Sequence, residues 1–505
     1  MNDLPEKFIE NMKKQLPEDE WEAFFAVYAR PPHKGLRVNV LKISAAEFEK
    51  ISPFPLRPVP WEENGFYTDG EKTGAHAYYF AGLYYSQEPS AMCAAPLLAA
   101  KSGERILDLC SAPGGKGTQL AAAMKGEGIL VLNEPVFSRA QILSRNVERL
   151  GVKNAVVLSE YPETLAEYFP EYFDKILVDA PCSGEGMFRK NAEEALSEWS
   201  EENVAMCAAR QKEILDYAFR MLKAGGKLVY STCTFSEAED EEQTENFLSS
   251  HAEMRLLAKK KLYPHKEAGE GHFAALFEKG GREENADEES HFALLFEKGA
   301  QERTDGKNHC STLFEKEVRK EYAKGEDTIG RGCFQGGGKS GDGARVQRYS
   351  SAVAGARPPR TLVPRVSKTA EKAYREFERD FFFRPFAETL HEAGNFLYSL
   401  PKGCFDFGKL NVLRAGVRLG EMKNGRFEPS HSLAMCVARK ECRNVVSIPS
   451  DDLRADKFLR GETVDAEECK NGWCIVCIDG YPVGLGKAVN GTIKNHIPKG
   501  LRKFS

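Results

Sequence analysis

The sequence contains no long hydrophobic run, because no stretch reaches 18 consecutive apolar residues. This excludes an ordinary membrane-spanning helix. The first residues also lack the basic start and apolar core typical of a secretory signal peptide. Cysteine is present but dispersed, with 13 among 505 residues. Without an export signal, this usage predicts reduced thiols and a cytoplasmic protein.

The composition is that of an ordinary globular protein, with 42% hydrophobic and 29% charged residues. At roughly 150 residues per domain, the chain predicts about three domains, large enough to fold without metal or disulfide staples. Charge is unevenly distributed: residues 1–300 carry 34 basic and 49 acidic groups, whereas residues 301–505 carry 36 and 26. The excess of basic residues in 301–505 favours an anionic partner for that part of the chain, although the same excess could arise by chance.

Residues 1–90 form a first predicted region. Apolar residues recur at helical spacing between Pro5 and Tyr28, which predicts one helix there. The alternating run LRVNVLK predicts a strand over 36–42. The segment 51–75 is rich in Pro and Gly, and we expect it to be irregular.

Residues 91–280 alternate short apolar runs with helical patterns. Such alternation predicts an α/β fold, in which a Rossmann-like parallel sheet carries helices on both faces. Two helices are predicted at 138–151 and in a stretch that ends over 210–226, where Gly225 and Gly226 close it. The predicted strands are 105–110, 128–134, 154–158, 174–180 and 227–233.

The segment 281–367 is predicted to be a flexible, repeat-containing insertion. HFAALFEKG (272–280) recurs as HFALLFEKG (291–299) and is echoed by TLFEKE (312–317), with polar sequence between the copies. A solenoid would need a longer array, so a duplicated sheet-edge strand is favoured. Residues 368–505 return to globular composition, with a helix at 368–382 and short apolar runs that predict a small α+β or β-barrel domain.

A glycine-rich turn follows the first predicted strand of the central region. DLCSAPGGKGT places Gly114 and Gly115 where a tight turn lets a ligand approach the backbone. It does not fit a P-loop, because Gly117 follows Lys116 where Ser or Thr would bind magnesium. Glu134 ends the second strand, 20 residues after Gly114, where an acid can accept both ribose hydroxyls. These features indicate an adenosine-containing cofactor, but do not separate NAD from S-adenosylmethionine.

Two cysteines follow the fourth and fifth strands. Cys182 lies in DAPCSGEG and Cys233 in STCTFSE, 51 residues apart. Open α/β sheets bind their ligands at the carboxyl ends of parallel strands, so both thiols are predicted to face one cleft. For a lone cysteine the alternative is a buried filler, as we interpret Cys93, Cys110, Cys207 and Cys404.

Together, CSAPGGKGT, the Asn-Glu pair at 133–134, DAPCSGEG and STCT resemble the Sun/Nop RNA cytosine-5 methyltransferases, and more narrowly the bacterial RsmF-type ribosomal RNA enzymes. Segments 36–42 and 84–93 resemble that family's N-terminal region. Segments 413–434 and 480–502 resemble its C-terminal, PUA-like RNA-binding part. The resemblance covers most of the chain outside about 281–360. It implies S-adenosylmethionine as the cofactor and RNA as the partner. It also implies a monomer that binds neither a metal nor a membrane.

The resemblance also implies roles for the site residues. The TC-motif Cys233 would attack cytosine C6, which makes C5 nucleophilic. The PC-motif Cys182 would assist release of the product. Asp179 matches the acid that contacts the base, and Lys116 would lie near cofactor and target. The cofactor would contact Cys110, Ser111, Ala112, Pro113, Gly114, Gly115, Lys116, Glu134, Arg139 and Asp179.

One position departs from the family pattern. After the third strand, where an acid or amide often touches the adenine, Ser159 or Glu160 matches only loosely. On the helix after Glu134, Arg139 matches a position near the cofactor. For Arg139 and Arg145 alike, a solvated helical face remains the alternative.

Two further clusters need weighing. A basic group near the C-terminus is predicted to take RNA phosphates, unless it is simply a solvated tail; it comprises Lys494, His496, Lys499, Arg502 and Lys503. Zinc binding by Cys469, Cys474 and Cys477 is disfavoured, because positions i and i+3 of a strand point to opposite faces.

The leading hypothesis is therefore a cytosine-5 methyltransferase acting on 16S ribosomal RNA through a covalent cysteine adduct. Alternatives are a tRNA cytosine-5 methyltransferase and a non-catalytic RNA-binding or ribosome-assembly factor that retains the fold. A nicotinamide-dependent oxidoreductase would leave the two cysteine loops unexplained.

Overall fold

The computed structural model describes residues 4–68, 71–280, 357–466 and 469–503. The second and third copies of the repeat, at 291–299 and 312–317, lie outside these residues, as does most of the predicted insertion. The first copy is a strand, but it lies second from the edge of its sheet rather than at the edge.

The N-terminal region is a small antiparallel sheet with helices. The single helix predicted over 5–28 is wrong: it breaks at Leu16, whose extended backbone precedes Pro17. The irregular segment predicted over 51–75 is also wrong, because it contains two strands, with Pro58 tolerated on the edge strand. The elements are α1 (Glu6–Gln15), α2 (Trp21–Ala26), β1 (Gly35–Val38), α3 (Ala45–Ile51), β2 (Arg57–Val59), β3 (Glu62–Tyr67), α4 (Ala77–Phe80), β4 (Tyr84–Ser86) and α5 (Ala94–Leu97), and the sheet order is β2-β3-β1-β4.

The central region is the predicted Rossmann-like α/β unit, and its five predicted strands are present and parallel. Its elements are β5 (Arg105–Asp108), α6 (Gly115–Ala123), β6 (Ile129–Asn133), α7 (Phe137–Arg149), β7 (Ala155–Leu158), α8 (Pro162–Tyr168), β8 (Phe173–Asp179), α9 (Ala192–Glu198), α10 (Glu201–Met221), β9 (Leu222–Thr232), α11 (Glu241–Ser250), β10 (Met254–Leu262) and β11 (His272–Lys279).

The two faces of this sheet pack against different helices. Leu107 lies in one core with residues of α8 and α10, and its neighbour Ile106 lies in the other with residues of α6 and α7. The predicted closure of α10 at Gly225 and Gly226 is wrong. The helix ends at Met221, and both glycines lie in a bulge of β9, where the register with β8 shifts.

The C-terminal region contributes to the central sheet as well as building its own. Its elements are α12 (Lys368–Phe381), β12 (Leu390–Ala393), β13 (Phe396–Ser399), β14 (Val412–Ala415), β15 (Val417–Lys423), β16 (Arg426–Pro429), α13 (His431–Met435), β17 (Val445–Ile448), α14 (Leu453–Leu459), β18 (Val464–Asp465), β19 (Gly472–Ile478), β20 (Tyr481–Val489) and β21 (Thr492–Asn495). The helix predicted at 368–382 is present as α12, and β14 pairs antiparallel with β7 to give the order β10-β11-β9-β8-β5-β6-β7-β14. Two further sheets have the orders β12-β13-β15-β16 and β17-β19-β20-β21-β18.

Candidate active site

The glycine-rich turn joins β5 to α6 at the carboxyl edge of the sheet. Gly114 caps α6 in the left-handed region, with φ of +110°, which favours glycine. A Cβ at Gly117 would lie 2.6 Å from both the Leu132 side chain and Ser111 Oγ. Backbone conformation therefore favours glycine at 114, and close packing favours it at 117.

A buried carboxyl lies beneath this turn. Asp108 Oδ2 accepts a hydrogen bond from Ser111 Oγ at 2.7 Å, but Asp108 Oδ1 is buried without a hydrogen-bond partner among the described residues. Burial raises the pKa of Asp108 to about 7, although the Ser111 hydroxyl opposes that shift. An unpaired buried acceptor beside a glycine turn fits a polar ligand better than a plain structural loop. Sequence analysis did not single out Asp108.

Glu134, Arg139 and the turn form one connected group. Glu134 Oε2 lies 3.3 Å from an Arg139 guanidinium nitrogen, and Glu134 Oε1 accepts the Val136 backbone N–H at 3.0 Å. Arg139 also donates to the Ala112 carbonyl oxygen at 3.2 Å. The structure thus brings the predicted acid, the predicted arginine and the turn together. Cys110, within the turn, is partly buried, and burial raises the pKa of its thiol.

The two predicted cysteines face one another. The sulfur atoms of Cys182 and Cys233 are 3.3 Å apart, on loops that follow the neighbouring parallel strands β8 and β9. Two further contacts join these loops: the Gly186 N–H donates to the Cys233 carbonyl oxygen at 2.9 Å, and the hydroxyls of Ser183 and Thr234 are 2.8 Å apart. The prediction that both thiols share one cleft agrees with this geometry.

The environment of Cys182 favours its protonated form. Its hydrogen bond with Cys233 and its burial raise the pKa of the Cys182 thiol well above its ordinary value. The contact with Cys233 and the burial of the side chain therefore both disfavour a Cys182 thiolate in this structure.

An ion pair lies beside the thiols. Lys116 Nζ from α6 is 2.7 Å from Asp179 Oδ2 at the end of β8, and Ser231 Oγ donates to Asp179 Oδ1 at 2.9 Å. Burial opposes both charges, but the partners prevail: the pKa of Asp179 is lowered by Lys116, and that of Lys116 is raised by Asp179. The Lys116 charge also interacts with Cys233. The Asp179 side chain is 32% exposed, so its carboxylate can reach a ligand while Lys116 is covered.

His272 was missed by sequence analysis. It begins β11, and the next residue, Phe273, pairs with Thr232, which places His272 level with Cys233. Its Nε2 lies 3.9 Å from Asp179 Oδ1, and neither ring nitrogen has a hydrogen-bond partner among the described residues. Burial, followed by the Lys116 charge, lowers the pKa of His272 to about 3, so the ring is neutral. The available signal was the histidine that opens the first repeat copy, but it was interpreted only as a strand residue.

Ser159 and Glu160 lie beside the Glu134 end of the site and also bind the C-terminal segment. The Asn133 side-chain amide donates to the Glu160 carbonyl oxygen at 2.9 Å. The Ser159 N–H donates to the Asn411 carbonyl oxygen, and Glu160 Oε1 accepts the Asn411 backbone N–H at 2.7 Å. Arg145 is exposed on a different face of α7 from Arg139, and no described contact joins it to the glycine turn.

The C-terminal basic cluster is only partly available to a ligand. Lys503 pairs with Asp456 at 2.6 Å, and Arg502 donates to the Ile497 carbonyl oxygen. Lys494 and Lys499 are exposed, as is His496, whose ring packs on Trp473.

The cysteines of β19 do not converge. Cys474 and Cys477 lie in different hydrophobic cores, on opposite faces of the strand as the spacing predicts. In the part of the chain that the structure describes, no three His, Cys, Asp or Glu side chains gather as metal ligands. Within those same ranges, no helix combines the length and apolarity needed to cross a membrane.

Models of known protein families match successive parts of this chain and together cover most of it. Residues 95–278 match the family model of 16S rRNA methyltransferase RsmB/F, and residues 4–89 match that of the N-terminal domain of 16S rRNA methyltransferase RsmF. Residues 376–437 match the first C-terminal domain of the RsmF rRNA methyltransferase, and residues 445–503 match the RsmF PUA domain.

Individual relatives extend the likeness to full length. The ribosomal RNA small subunit methyltransferase F of Vibrio vulnificus (strain YJ016) is 32% identical over 509 residues, covering 99% of this chain and 97% of that protein. The protein of the same name from Aeromonas salmonicida (strain A449) is 31% identical over 519 residues, with the same coverage. The crystal structure of PH0851 is 29% identical, with a TM-score of 0.51, over 55% of this chain and 66% of that one. The resemblance inferred from the motifs is confirmed.

Proposed function

The chain belongs to the family of ribosomal RNA small subunit methyltransferase F, and from this premise we propose that it methylates C5 of a cytosine in RNA, with 16S ribosomal RNA as the substrate. The methyl donor is S-adenosylmethionine, and catalysis passes through a bond between Cys233 Sγ and cytosine C6. The observation that carries this proposal is the pair of thiols, 3.3 Å apart, beside the Lys116–Asp179 ion pair.

The donor is held by the glycine turn and the acid after β6. Glu134 would bind the ribose hydroxyls of the donor, and the backbone of residues 110–115 would help to hold it. Asp108 supplies a buried acceptor that has no partner among the described residues. When bound, S-adenosylmethionine supplies an electrophilic methyl group.

Cys233 is the nucleophile. Its thiolate adds to C6, which forms the S–C6 bond and moves electron density to C5. With the donor bound, C5 would take its methyl group, and the donor's S–CH3 bond would break to leave a neutral thioether. The C5 proton then passes to a base, the C5–C6 double bond forms again, and the Cys233 thiolate is expelled. Each turnover returns the cysteine unchanged, so no oxidant or reductant is needed.

Cys182 is the release group. The largest cause of its raised pKa is Cys233 itself. Once the Cys233 sulfur is bonded to C6, its hydrogen bond no longer raises the pKa of Cys182 in the same way. Cys182 lies beside the C5–C6 bond, where its thiolate would accept the C5 proton and become a thiol as the Cys233 thiolate is expelled.

Asp179 orients the base. Its partly exposed carboxylate accepts a hydrogen bond from the cytosine amine, while Lys116 balances its charge at 2.7 Å. Because C6 must be reached from above the ring, the cytosine leaves its stack before reaction. Neutral His272 packs against this pair and adds no charge that would compete for Asp179.

The experiment is methyl transfer by the full chain. Tritium-labelled S-adenosylmethionine is incubated with transcripts of 16S ribosomal RNA and of tRNA, and the RNA is digested to nucleosides. We expect label in 5-methylcytidine from the 16S transcript, and none with Cys233→Ala. Label in the tRNA alone would favour the tRNA enzyme, whereas RNA binding without label would indicate an assembly factor. Label in another nucleoside would contradict the cytosine assignment.

A further inference from the structure

An open groove runs beside α7, on the side that faces the C-terminal region. We name it the α7 groove; it is lined by Phe137, Gln141, Ser144 and Arg145 of the helix and by residues 410–413. Its volume is about 590 Å³, within the range of about 300–1,000 Å³ typical of ligand sites. None of these residues has a role in the chemistry described above.

The groove lies on the opposite face of α7 from the cofactor turn. At 100° per residue, positions 137, 141, 144 and 145 share one face, whereas Arg139 and Asn146 lie about 170° away. Arg139 and Asn146 donate to the carbonyl oxygens of Ala112 and Pro113 in the turn. A ligand in the groove is therefore separated from the turn by about one helix diameter, roughly 10 Å.

The side chains offered by the groove are those that bind single-stranded nucleic acid. Phe137 is 58% exposed, so its ring provides a stacking surface. Arg145 and Gln141 are exposed, and neither has an ion pair or hydrogen bond with another described residue. Lys409, at the rim, is likewise exposed and unpaired within the described ranges. An unpaired guanidinium and ammonium favour a polyanion over an uncharged ligand.

The far wall is fixed in place. Asn411 donates its backbone N–H and its side-chain amide to Glu160 Oε1, at 2.7 and 3.0 Å. These bonds and the pairing of β14 with β7 hold residues 410–413 in position. The Asn411 side-chain oxygen has no donor among the described residues, so it can accept from the edge of a base.

We propose that the α7 groove binds an unpaired stretch of the RNA substrate next to the target cytosine, with a base stacked on Phe137 and a phosphate paired with Arg145. The proposal rests on the proposed function for the identity of the ligand. The position suits it, because Phe137 begins α7 at the carboxyl edge of the sheet, the edge at which Cys233 lies.

The test measures RNA binding separately from methylation. Full-length Phe137→Ala and Arg145→Ala variants are titrated with a fluorescein-labelled, single-stranded 12-nucleotide RNA, without methyl donor. S-Adenosylmethionine binding is measured by calorimetry. We expect Phe137→Ala to weaken RNA binding about tenfold, since stacking on one aromatic ring contributes about 1–3 kcal/mol per base. Arg145→Ala should lower the salt slope of binding by about 0.7, as expected for one phosphate contact on a single strand.

Matched controls are Phe383→Ala, whose ring is also 58% exposed, and Arg210→Ala, an exposed arginine of α10. Unchanged RNA affinity in both groove variants would overturn the proposal. So would loss of S-adenosylmethionine affinity with RNA affinity intact, which would make the groove part of the cofactor site. If groove variants lose RNA binding but the unmodified chain forms no 5-methylcytidine, the groove assignment stands and the proposed function fails.

Discussion

Two buried charged clusters of this RNA methyltransferase differ in how completely their polar atoms are paired. The first surrounds the thiols, where both nitrogens of His272 and one oxygen of Asp108 lack partners within the described ranges. The second joins α7 to the C-terminal region. There Glu148 Oε1 lies 3.0 Å from His431 Nδ1, and Glu148 Oε2 accepts from Arg414. Unpaired buried polar atoms are costly, and proteins keep them chiefly where a ligand completes them.

The junction cluster is completed by neutral groups. Arg414 also donates to the hydroxyls of Ser432 at 2.9 Å and Ser144 at 3.3 Å. His431 Nε2 lies 3.3 Å from the Val483 carbonyl oxygen. Burial would raise the pKa of Glu148, but His431 and Arg414 lower it to about 2, so it stays charged. Under the proposed function, this difference separates a cluster that binds a substrate from one that joins α7 to the C-terminal region.

The largest expected effect distinguishes the clusters by activity. Asp179→Asn should reduce the rate of methylation by about 10²–10³-fold, because it removes the charged partner of the base and leaves Lys116 unpaired. RNA affinity should change little. Single-turnover rates and RNA titration measure the two quantities. Glu148→Gln is the matched control, and a comparable loss of rate in that variant would contradict the comparison.

The second prediction distinguishes the two buried clusters by their contribution to the stability of the fold. Arg414→Met should lower the free energy of unfolding by about 3–5 kcal/mol, since it leaves the Glu148 charge buried with one partner fewer. Chemical denaturation of the full chain provides the measurement. Cys182→Ala, at the other cluster, should cost far less; equal losses would show that both clusters are structural.

Most of the central sheet could be predicted from sequence. Buried parallel strands form continuous apolar runs, so local composition identified β5 to β9. The location of the candidate site could also be predicted, because two cysteines that follow adjacent parallel strands lie at the same edge of the sheet.

What escaped prediction depends on contacts distant in sequence. Nothing local shows that Val412 pairs with Leu158 at the edge of the central sheet, or that His272 lies beside Asp179. The strands at 57–59 and 62–67 form despite Pro and Gly because they pair with each other, and β1 pairs with the second of them. The break after the first helix could have been predicted from Pro17, because proline disrupts the interior of a helix.

The smallest expected effect concerns pH. The pKa of Asp108 is raised to about 7 in the fold, against an ordinary value of 3.8, so the folded state binds its proton more tightly. Stability from this group is present below about pH 4 and is lost as pH rises to about 7. Melting temperatures of the unmodified chain should fall relative to Asp108→Asn between pH 5 and pH 8. Parallel curves would contradict the assignment. The pKa of Glu148 is lowered instead, so the stability that this group contributes to the fold is lost as pH falls towards 2.

The most direct test of the central claim is a covalent one. The Cys182→Ala variant is mixed with substrate RNA and S-adenosylmethionine, denatured, and analysed by gel electrophoresis and peptide mass spectrometry. We expect a stable protein–RNA adduct at Cys233, which is absent from the unmodified chain after turnover and from the double variant Cys182→Ala/Cys233→Ala. An adduct that persists without Cys233, or a Cys233→Ala enzyme with unchanged turnover, would contradict it.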